Sequence, residues 1–256
     1  MSASAIYQPS RGPVAKVRRR LVRRVVRDVV PLALERPVVS ISFDDVPRSV
    51  MLNALPDMER RGMVATLYVA TGLMGQRNHL GTMMDRDEVI RCHLAGHEIA
   101  AHSHSHRDLS KLTEQELGHD IRMSGRVFAQ MGVPAPTTFA WPYGEASRMA
   151  KAELAGRYTS LRGIVPVAHR GSVDLNQVGS VPVFGSTVRE AKSIVRSLRR
   201  RPGWVTLFTH DVREDPSPWG VTPKAFCALL DEIENAGAIV RPVGAFVGEL
   251  LNDQTV

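Results

Sequence analysis

Short apolar runs that alternate with helical patterns constrain the fold of this chain more than any other feature. Eight such runs follow Pro37, most of them rich in β-branched residues. We predict strands at Val38–Phe43, Val64–Ala70, His97–Ala101, Thr138–Ala140, Ser160–Val165, Val181–Phe184, Trp204–His210 and Ala238–Val240. Strands separated by helices of about ten to fifteen residues are typical of parallel βαβ units. The chain therefore belongs to the α/β class, as a barrel or an open doubly wound sheet.

The segments between these strands carry signals for helix starts and ends. Thr113 and Glu116 have the spacing of a capping box, and Thr222 precedes Pro223 as an N-cap does. Gly62 and Gly237 stand where helices end. The predicted helices are Val50–Arg61, Arg86–Ala95, Leu112–Met131, Glu145–Ala155, Thr187–Arg200 and Pro223–Ala236.

The excess of basic over acidic residues is confined to residues 1–36, which we call the N-terminal arm. The chain has 256 residues and a net charge of +7. The arm holds nine basic and two acidic residues, while residues 37–256 carry 24 of each sign. The body is therefore neutral, so the sequence predicts no nucleic-acid partner for it. We predict two units: the arm, 1–36, and one domain, 37–256.

Within the arm, Val14, Val17, Leu21 and Val25 recur at helical spacing with arginines between them, and Pro31 is expected to end the helix. Three interpretations remain open. The apolar side chains can pack on the body or on a second subunit, which would make a homodimer. Residues 14–30 can instead lie on an anionic membrane surface with arginines at the lipid phosphates, or the arm can bind nucleic acid.

The location predicted from the sequence is cytoplasmic, with the arm able to hold the chain at the inner membrane surface. No run approaches the roughly 20 apolar residues that span a bilayer. The first ten residues, MSASAIYQPS, lack the pattern of a signal peptide. Cys92 and Cys227 form no disulfide framework or metal-binding CxxC pattern, as expected in a reducing compartment.

Polar residues cluster at the ends of four predicted strands. Asp44 and Asp45 follow the first strand, HSHSH (His102–His106) the third, WPYGE (Trp141–Glu145) the fourth, and THD (Thr209–Asp211) ends the seventh. The active sites of parallel βα folds lie at the carboxyl ends of the strands, so these clusters are expected to converge.

Two histidines and one carboxylate form a common ligand set for zinc or another divalent transition metal. His102 and His106 can supply the imidazoles of such a site, and Asp45 can supply the carboxylate. Asp44 can then stay ionised beside the cation without binding it, which suits a general base acting on water.

These motifs resemble the polysaccharide deacetylase family, the NodB-homology domains of carbohydrate esterase family 4. SFDD resembles the first motif of the family and GHEIAAHSHSHRDL (Gly96–Leu109) its second, in which H-S/T-x-x-H follows GHE. FAWPYG (Phe139–Gly144) resembles the third, R-x-P-Y-G, and VTLFTHDV (Val205–Val212) the last. The resemblance covers roughly Pro37 to Leu250 and implies a distorted (β/α)7 barrel.

The resemblance also implies the roles of the site residues. Asp44 would be the general base, and Asp45, His102 and His106 would bind the metal, typically zinc. The backbone N–H of Tyr143 would stabilise the oxyanion, and His210 would protonate the leaving amine. The implied reaction removes acetyl groups from an N-acetylated glycan, here a bacterial exopolysaccharide of the holdfast or biofilm kind or its lipid-linked precursor.

The sequence departs from the family pattern in its third and fourth motifs. Ala140 replaces the arginine of the third motif, which orients the base, and Arg162 is a candidate substitute. The fourth motif is not recognisable, which leaves Asp174 and Asp211 as candidates to orient His210.

Further residues near the motifs are candidates for contacting substrate or supporting the site. These are His97, His104, Trp141 and Trp219. Two other functions stay open: deacylation of another amide, and glycan binding by a barrel that has lost catalysis.

Overall fold

The computed structural model describes residues 7–10 and 12–253, so residues 1–6 and Arg11 of the predicted arm lie outside the described part. The strands are β1 (Val29–Leu32), β2 (Val38–Asp44), β3 (Thr66–Val69), β4 (Arg77–Asn78), β5 (Gly81–Thr82), β6 (Glu98–Ala101), β7 (Thr138–Ala140), β8 (Ser160–Arg162), β9 (Gly171–Asp174), β10 (Val181–Pro182), β11 (Trp204–Thr209) and β12 (Ile239–Val240). The α-helices are α1 (Pro13–Val22), α2 (Arg48–Asn53), α3 (Leu55–Arg60), α4 (Arg86–Leu94), α5 (Glu114–Met131), α6 (Arg148–Ala155), α7 (Val188–Ser197), α8 (Pro223–Asn235) and α9 (Val243–Asn252).

The main sheet is parallel and curls into a barrel. Its strand order is β10, β11, β2, β3, β6, β7 and β8, and β12 adds to β2. The N–H of Val178 donates to the carbonyl of Leu161 at 3.0 Å, and the N–H of Ser180 donates to that of Val165 at 2.8 Å. These bonds join the end of β8 to the segment that leads into β10. The predicted α/β fold, a distorted (β/α)7 barrel, is confirmed.

The pattern of β2 explains how the first acidic residue reaches the inside of the barrel. Successive side chains of a strand point to opposite faces. Val39, Ile41 and Phe43 belong to the main apolar core, together with residues of α3, α7 and α8. The alternate residues Ser40, Ser42 and Asp44 therefore face the barrel interior, and all three are buried.

The arm contacts the barrel in a way that the sequence did not predict. The prediction that Pro31 ends the helix is wrong, because α1 ends at Val22 and Pro31 lies in β1, opposite Ser172 of the antiparallel β9. A proline is tolerated there because a two-stranded ribbon leaves the N–H of alternate residues without a ladder partner.

The outer face of α1 exposes its large apolar side chains. Val14 is 82% exposed, Val17 59% and Leu21 60%, whereas Ala15 and Val22 are buried. Packing of Val14, Val17 and Leu21 on the body is therefore contradicted by the structure, whereas Val25, which lies beyond α1, is half-buried. The helix is held instead by Arg18 and Arg19, which both pair with Glu145.

Other differences from the predicted elements have local causes. The predicted helix Val50–Arg61 is two helices, α2 and α3, because Pro56 lies in the first turn of α3. Thr113 is the N-cap of α5, in a capping box with Glu116, so that helix begins at Glu114. In the described part of the chain, no helix is both long and apolar enough to cross a bilayer.

Candidate active site

Asp44, at the end of β2, is paired with Arg162 inside the barrel. The Nη2 atom of Arg162 donates to both carboxylate oxygens of Asp44, at 2.7 and 2.6 Å, and both side chains are buried. Burial by itself would raise the pKa of Asp44. The charges of Arg162, His102 and His210 and the hydrogen bonds from Arg162 outweigh it and hold the pKa below its usual value. Asp44 is therefore ionised at neutral pH.

Arg162, the predicted substitute for the arginine missing at Ala140, comes from the strand next to Ala140. Ala140 of β7 lies directly opposite Arg162 of β8 in the parallel register. An arginine on β8, opposite the family position on β7, can therefore reach the carboxylate of Asp44. The guanidinium also lies 4.8 Å from the ring centre of Tyr68 and 4.9 Å from that of Phe208, which fixes its plane.

Asp45, His102 and His106 bring three metal-ligating groups together. One ligand atom from each side chain lies within 4.8 Å of the other two. The Nε2 atom of His106 is 3.1 Å from Oδ1 of Asp45, and that of His102 is 3.8 Å from the same oxygen. The three predicted ligands thus share one site.

Hydrogen bonds fix the imidazoles for ligation. The Nδ1 atom of His102 lies 2.7 Å from the carbonyl oxygen of Ala140. Since a carbonyl only accepts, Nδ1 carries the proton and Nε2 presents its lone pair to the site. Burial lowers the pKa of His102 to about 4, so this imidazole is neutral at neutral pH. Nδ1 of His106 lies 3.2 Å from the hydroxyl of Tyr143.

The donor set fits a divalent ion. Oδ1 of Asp45 is buried and has no hydrogen-bond partner in the described residues. An isolated buried carboxylate oxygen is costly unless a cation compensates it. One carboxylate and two imidazoles suit zinc or another divalent transition metal.

The backbone around the site is strained. Six described residues other than glycine have positive φ, and five of them surround this cluster: Asp45 (60°), Val46 (49°), Ser103 (67°), His106 (51°) and Tyr143 (59°). Valine at positive φ is especially unfavourable. Such strain persists where the surrounding structure requires it, and it collects at functional sites.

His210 and Trp219 form the opposite side of the cavity. The N–H of His210 donates to the carbonyl of Trp219 at 3.2 Å, and Nδ1 of His210 lies 3.3 Å from the same oxygen. Since a carbonyl only accepts, Nδ1 carries a proton, and Nε2 is the ring nitrogen without this partner. The ring of Trp219 packs edge-on against His79, with centroids 5.2 Å apart.

Neither acidic candidate orients His210 in this structure. Asp211 accepts hydrogen bonds from the backbone and hydroxyl of Ser217 and pairs with Arg213, which braces the loop after β11. Asp174 caps the short helix after β9 and accepts from the backbone of Asp28. Among the described residues, the carbonyl of Trp219 takes the place of an acidic partner for His210.

The remaining candidates divide between the cavity and its supports. Trp141 lines the cavity and is buried. His104 bonds to Thr71 at 2.9 Å and does not line it, while its own N–H donates to Asp120. His97 accepts from the N–H of Ala65 and contacts Glu59, so it supports β3 and α3.

Residues of the arm complete one wall of the cavity, and no motif in the sequence predicts this. The cavity has a volume of about 740 Å³ and is lined by Asp44, Asp45, His102, His106, Tyr143 and His210, together with Tyr7, Arg19, Arg23, His79 and Glu145. The ring of Tyr7 lies 4.7 Å from that of Tyr143, and its hydroxyl bonds to Asp108. These contacts join residues more than 100 positions apart, which no local pattern reveals.

Comparison with known proteins agrees with the family resemblance of the sequence motifs. Residues 33–158 match the family model described as polysaccharide deacetylase. This match confirms the predicted resemblance to the polysaccharide deacetylase family. The matched segment contains Asp44, Asp45, His102, His106 and Tyr143, whereas Arg162 and His210 lie beyond it.

Two curated relatives match about half of the chain or less. The peptidoglycan-N-acetylglucosamine deacetylase PgdA of Listeria monocytogenes is 31% identical over 127 residues, which are 49% of this chain and 25% of the relative. The poly-beta-1,6-N-acetyl-D-glucosamine N-deacetylase of Staphylococcus aureus is 28% identical over 116 residues, 41% of this chain and 40% of the relative. The chain therefore spans less than half the length of these relatives.

Solved structures share the fold at low sequence identity. The Xyl-CE4 domain of a multidomain xylanase from the hindgut metagenome of Trinervitermes trinervoides superposes with a TM-score of 0.59 at 18% identity. The alignment covers 87% of this chain and 93% of that domain. A family 4 carbohydrate esterase from Streptomyces lividans gives a TM-score of 0.56 at 18% identity, over 81% of this chain and 93% of its own.

Proposed function

We propose that this protein is a metal-dependent hydrolase that removes N-acetyl groups from amino sugars of a glycan and releases acetate. The observation that carries the proposal is the pairing of two neighbouring carboxylates with different surroundings. Asp45 lies with His102 and His106 in a cation site, and Asp44 is held ionised by Arg162 beside it. A carboxylate that is ionised next to a metal site has the position of a general base.

The proposed ion is zinc or another divalent transition metal, bound by Asp45, His102 and His106. When bound, it supplies Lewis acidity that polarises the acetamide carbonyl and lowers the pKa of water. The three ligands leave coordination positions free, as catalytic sites require.

The residues of the chain have distinct proposed roles in the reaction. Asp44 takes a proton from the attacking water, and Arg162 holds the carboxylate in place for that transfer. The backbone N–H of Tyr143, at the strained turn, donates to the oxyanion that develops on the acetamide oxygen. His210 donates a proton to the departing nitrogen as the C–N bond breaks. The products are acetate and a free amino sugar.

The proposed substrate is an N-acetylated bacterial exopolysaccharide or its lipid-linked precursor. The two curated relatives are named for peptidoglycan N-acetylglucosamine and for poly-beta-1,6-N-acetyl-D-glucosamine, which supports an N-acetylglucosamine glycan. A cavity of about 740 Å³ accommodates more than one sugar ring. Trp141 and Trp219 line it, and aromatic side chains commonly pack on sugar rings.

We further propose that the outer face of α1 lies on an anionic membrane. Val14, Val17 and Leu21 form an exposed apolar stripe, with Arg20 and Arg24 exposed beside it. Apolar side chains that enter the interface, with arginines at lipid phosphates, are typical of helices that lie in a membrane plane. A homodimer through the same stripe is the alternative outcome. The proposed location is the cytoplasmic side of the inner membrane.

Acetate release from N-acetylglucosamine oligomers tests the proposed activity. The purified full chain is stripped of metal with a chelator, reloaded with zinc, and assayed for acetate in both forms. We expect release only from the reloaded protein. Zinc bound at one ion per chain without release from several N-acyl sugars would favour deacylation of another amide or glycan binding without catalysis. Equal release from stripped and reloaded protein would contradict metal dependence.

A further inference from the structure

One cation in the catalytic cavity is left without a partner. The other charged side chains of its lining are engaged: Arg19 with Glu145, Asp44 with Arg162, and Asp45 with the two histidines. Arg23, the residue that caps α1, lines the same cavity and is half-buried. Within residues 7–10 and 12–253, no carboxylate lies within ion-pair distance of its guanidinium.

The surroundings of Arg23 are electropositive. The charge of Glu145 acts on Arg23, but this carboxylate is already shared by Arg18 and Arg19. The four side chains Arg18, Arg19, Arg23 and Glu145 therefore carry a net charge of +2. Burial, with repulsion from Arg19 and Arg20, lowers the pKa of Arg23, although its guanidinium stays protonated. A partly buried cation among like charges is unfavourable unless an anion joins it.

Substrate is the obvious source of that anion. Arg23 and the metal-ligating cluster line one cavity, so a glycan whose acetamide lies at Asp45, His102 and His106 extends past the arm. A guanidinium presents a planar fork of donors that matches the two oxygens of a carboxylate or phosphate. A neutral chain of N-acetylglucosamine offers no such group.

We propose that Arg23 recognises an anionic group of the substrate, a carboxylate or a phosphate, close to the acetamido sugar that is deacetylated. The proposal rests on the proposed function for the identity of the sugar, but not for the charge of the group. It makes the N-terminal arm part of the substrate site, and it makes the preferred glycan acidic. A uronic acid in the polymer and the phosphate of a lipid-linked precursor are the two sources of this chemistry.

Arg23→Gln tests this proposal, with Arg24→Gln as the matched control. Arg24 is the next residue in the chain, and Arg24→Gln removes the same positive charge. The side chain of Arg24 is exposed and does not line the cavity. Three probes are compared: chitotetraose, which is neutral, a hyaluronan tetrasaccharide, which alternates N-acetylglucosamine with glucuronic acid, and N-acetylglucosamine-1-phosphate. Binding is measured by calorimetry to the zinc-loaded full chain carrying Asp44→Asn, so that no turnover is needed, and acetate release is measured in parallel with Asp44 intact.

We expect Arg23→Gln to weaken binding of at least one anionic probe by about tenfold, the effect of losing one charge-assisted hydrogen bond, and to leave chitotetraose within about twofold. Arg24→Gln should change none of them. The anionic probe that responds identifies the source as uronate or phosphate. An equal effect of Arg23→Gln on all three probes, or none on either anionic one, would overturn the proposal. Arg23-dependent binding without acetate release would uphold it and reject the proposed deacetylase.

Discussion

At the scale of single residues, the site separates two adjacent carboxylates by what each one contacts. Asp44 faces the barrel interior, where the guanidinium of Arg162 balances its negative charge. Asp45 has positive φ and turns toward the histidines. The reversal of backbone direction at Asp45 is what keeps the two acids from sharing one environment. Their charges are then compensated separately, by a guanidinium and by a metal site.

Replacing Arg162 should shift the acid side of the pH profile. With Arg162→Met, burial is no longer outweighed, so the pKa of Asp44 rises. A base with a raised pKa is protonated earlier as the pH falls, so activity should be lost at higher pH than in the wild type. We expect kcat to fall by about tenfold or more. The measurement is kcat/KM against pH, both proteins being loaded with zinc.

Arg157→Gln serves as the control for that experiment, because Arg157 pairs with Glu153 on the surface. Breaking a buried ion pair also destabilises a protein by about 3–5 kcal/mol, so folding of Arg162→Met is checked by circular dichroism. Arg162→Lys retains a charge and should keep the acid limb near its normal position. An unchanged acid limb in Arg162→Met would contradict the role given to Arg162.

Metal binding should stabilise the fold through Asp45. Oδ1 of this carboxylate is buried and accepts no hydrogen bond from the described residues, so a cation relieves its desolvation. Zinc at about 100 times its Kd should raise the free energy of unfolding by about 2.7 kcal/mol. Thermal denaturation with and without zinc measures the shift, and Asp45→Asn should remove most of it. An equal shift in both proteins would place the ion elsewhere.

At the scale of elements, the arm is held to the barrel by charge and by a short strand pair. Glu145 is buried and paired with Arg18 and Arg19, while β1 pairs with β9. Val14, Val17 and Leu21 of α1 face outward. The helix therefore contributes polar contacts to the body and offers its apolar face to another surface.

Glu145→Gln should loosen α1 without unfolding the barrel. The substitution removes the charge that holds two arginines and costs about 1–3 kcal/mol at this contact. Hydrogen exchange of residues 13–22 should become faster, whereas exchange in β2 and β11 should not change. Glu153→Gln, on the surface of α6, is the control. Slow exchange of α1 in Glu145→Gln would show that other contacts hold the arm.

Membrane binding through α1 is tested with Val17→Ser/Leu21→Ser. The loss of two apolar side chains should weaken binding to vesicles containing phosphatidylglycerol by about tenfold or more. Leu52→Ser is the control, because Leu52 is 61% exposed on α2 of the barrel. Co-sedimentation measures binding. Unchanged binding would reject the membrane proposal, and a wild-type dimer that the double variant cannot form would favour self-association.

At the scale of the whole molecule, the sequence predicted correctly those strands and helix ends that are specified by neighbouring residues. Thr138–Ala140 is a strand with its predicted bounds, and the capping box at Thr113 and Glu116 is present. The strand order and the convergence of Asp44, Asp45, His102 and His106 follow from parallel βα topology, which places the strand ends at one side.

The elements that the sequence missed depend on contacts between distant residues. β1 pairs with β9 across about 140 positions. Pro31 within β1 led to the wrong prediction of a helix end, because proline is uncommon inside strands. Arg162 was predicted as a candidate to pair with Asp44, and it does so because β8 lies beside β7, a register that no local pattern specifies. Tyr7, Arg19 and Arg23 enter the cavity only because the arm folds back on the barrel.

The most direct test of the central claim, that Asp44 is the base and Asp45 a metal ligand, measures acetate release and bound zinc together. Three single variants are compared with the wild type: Asp44→Asn, Asp45→Asn and His102→Ala. We expect Asp44→Asn to abolish release from N-acetylglucosamine oligomers while still binding one zinc ion per chain, and the other two variants to lose the metal. Loss of zinc from Asp44→Asn as complete as that from His102→Ala would show that Asp44 is itself a metal ligand.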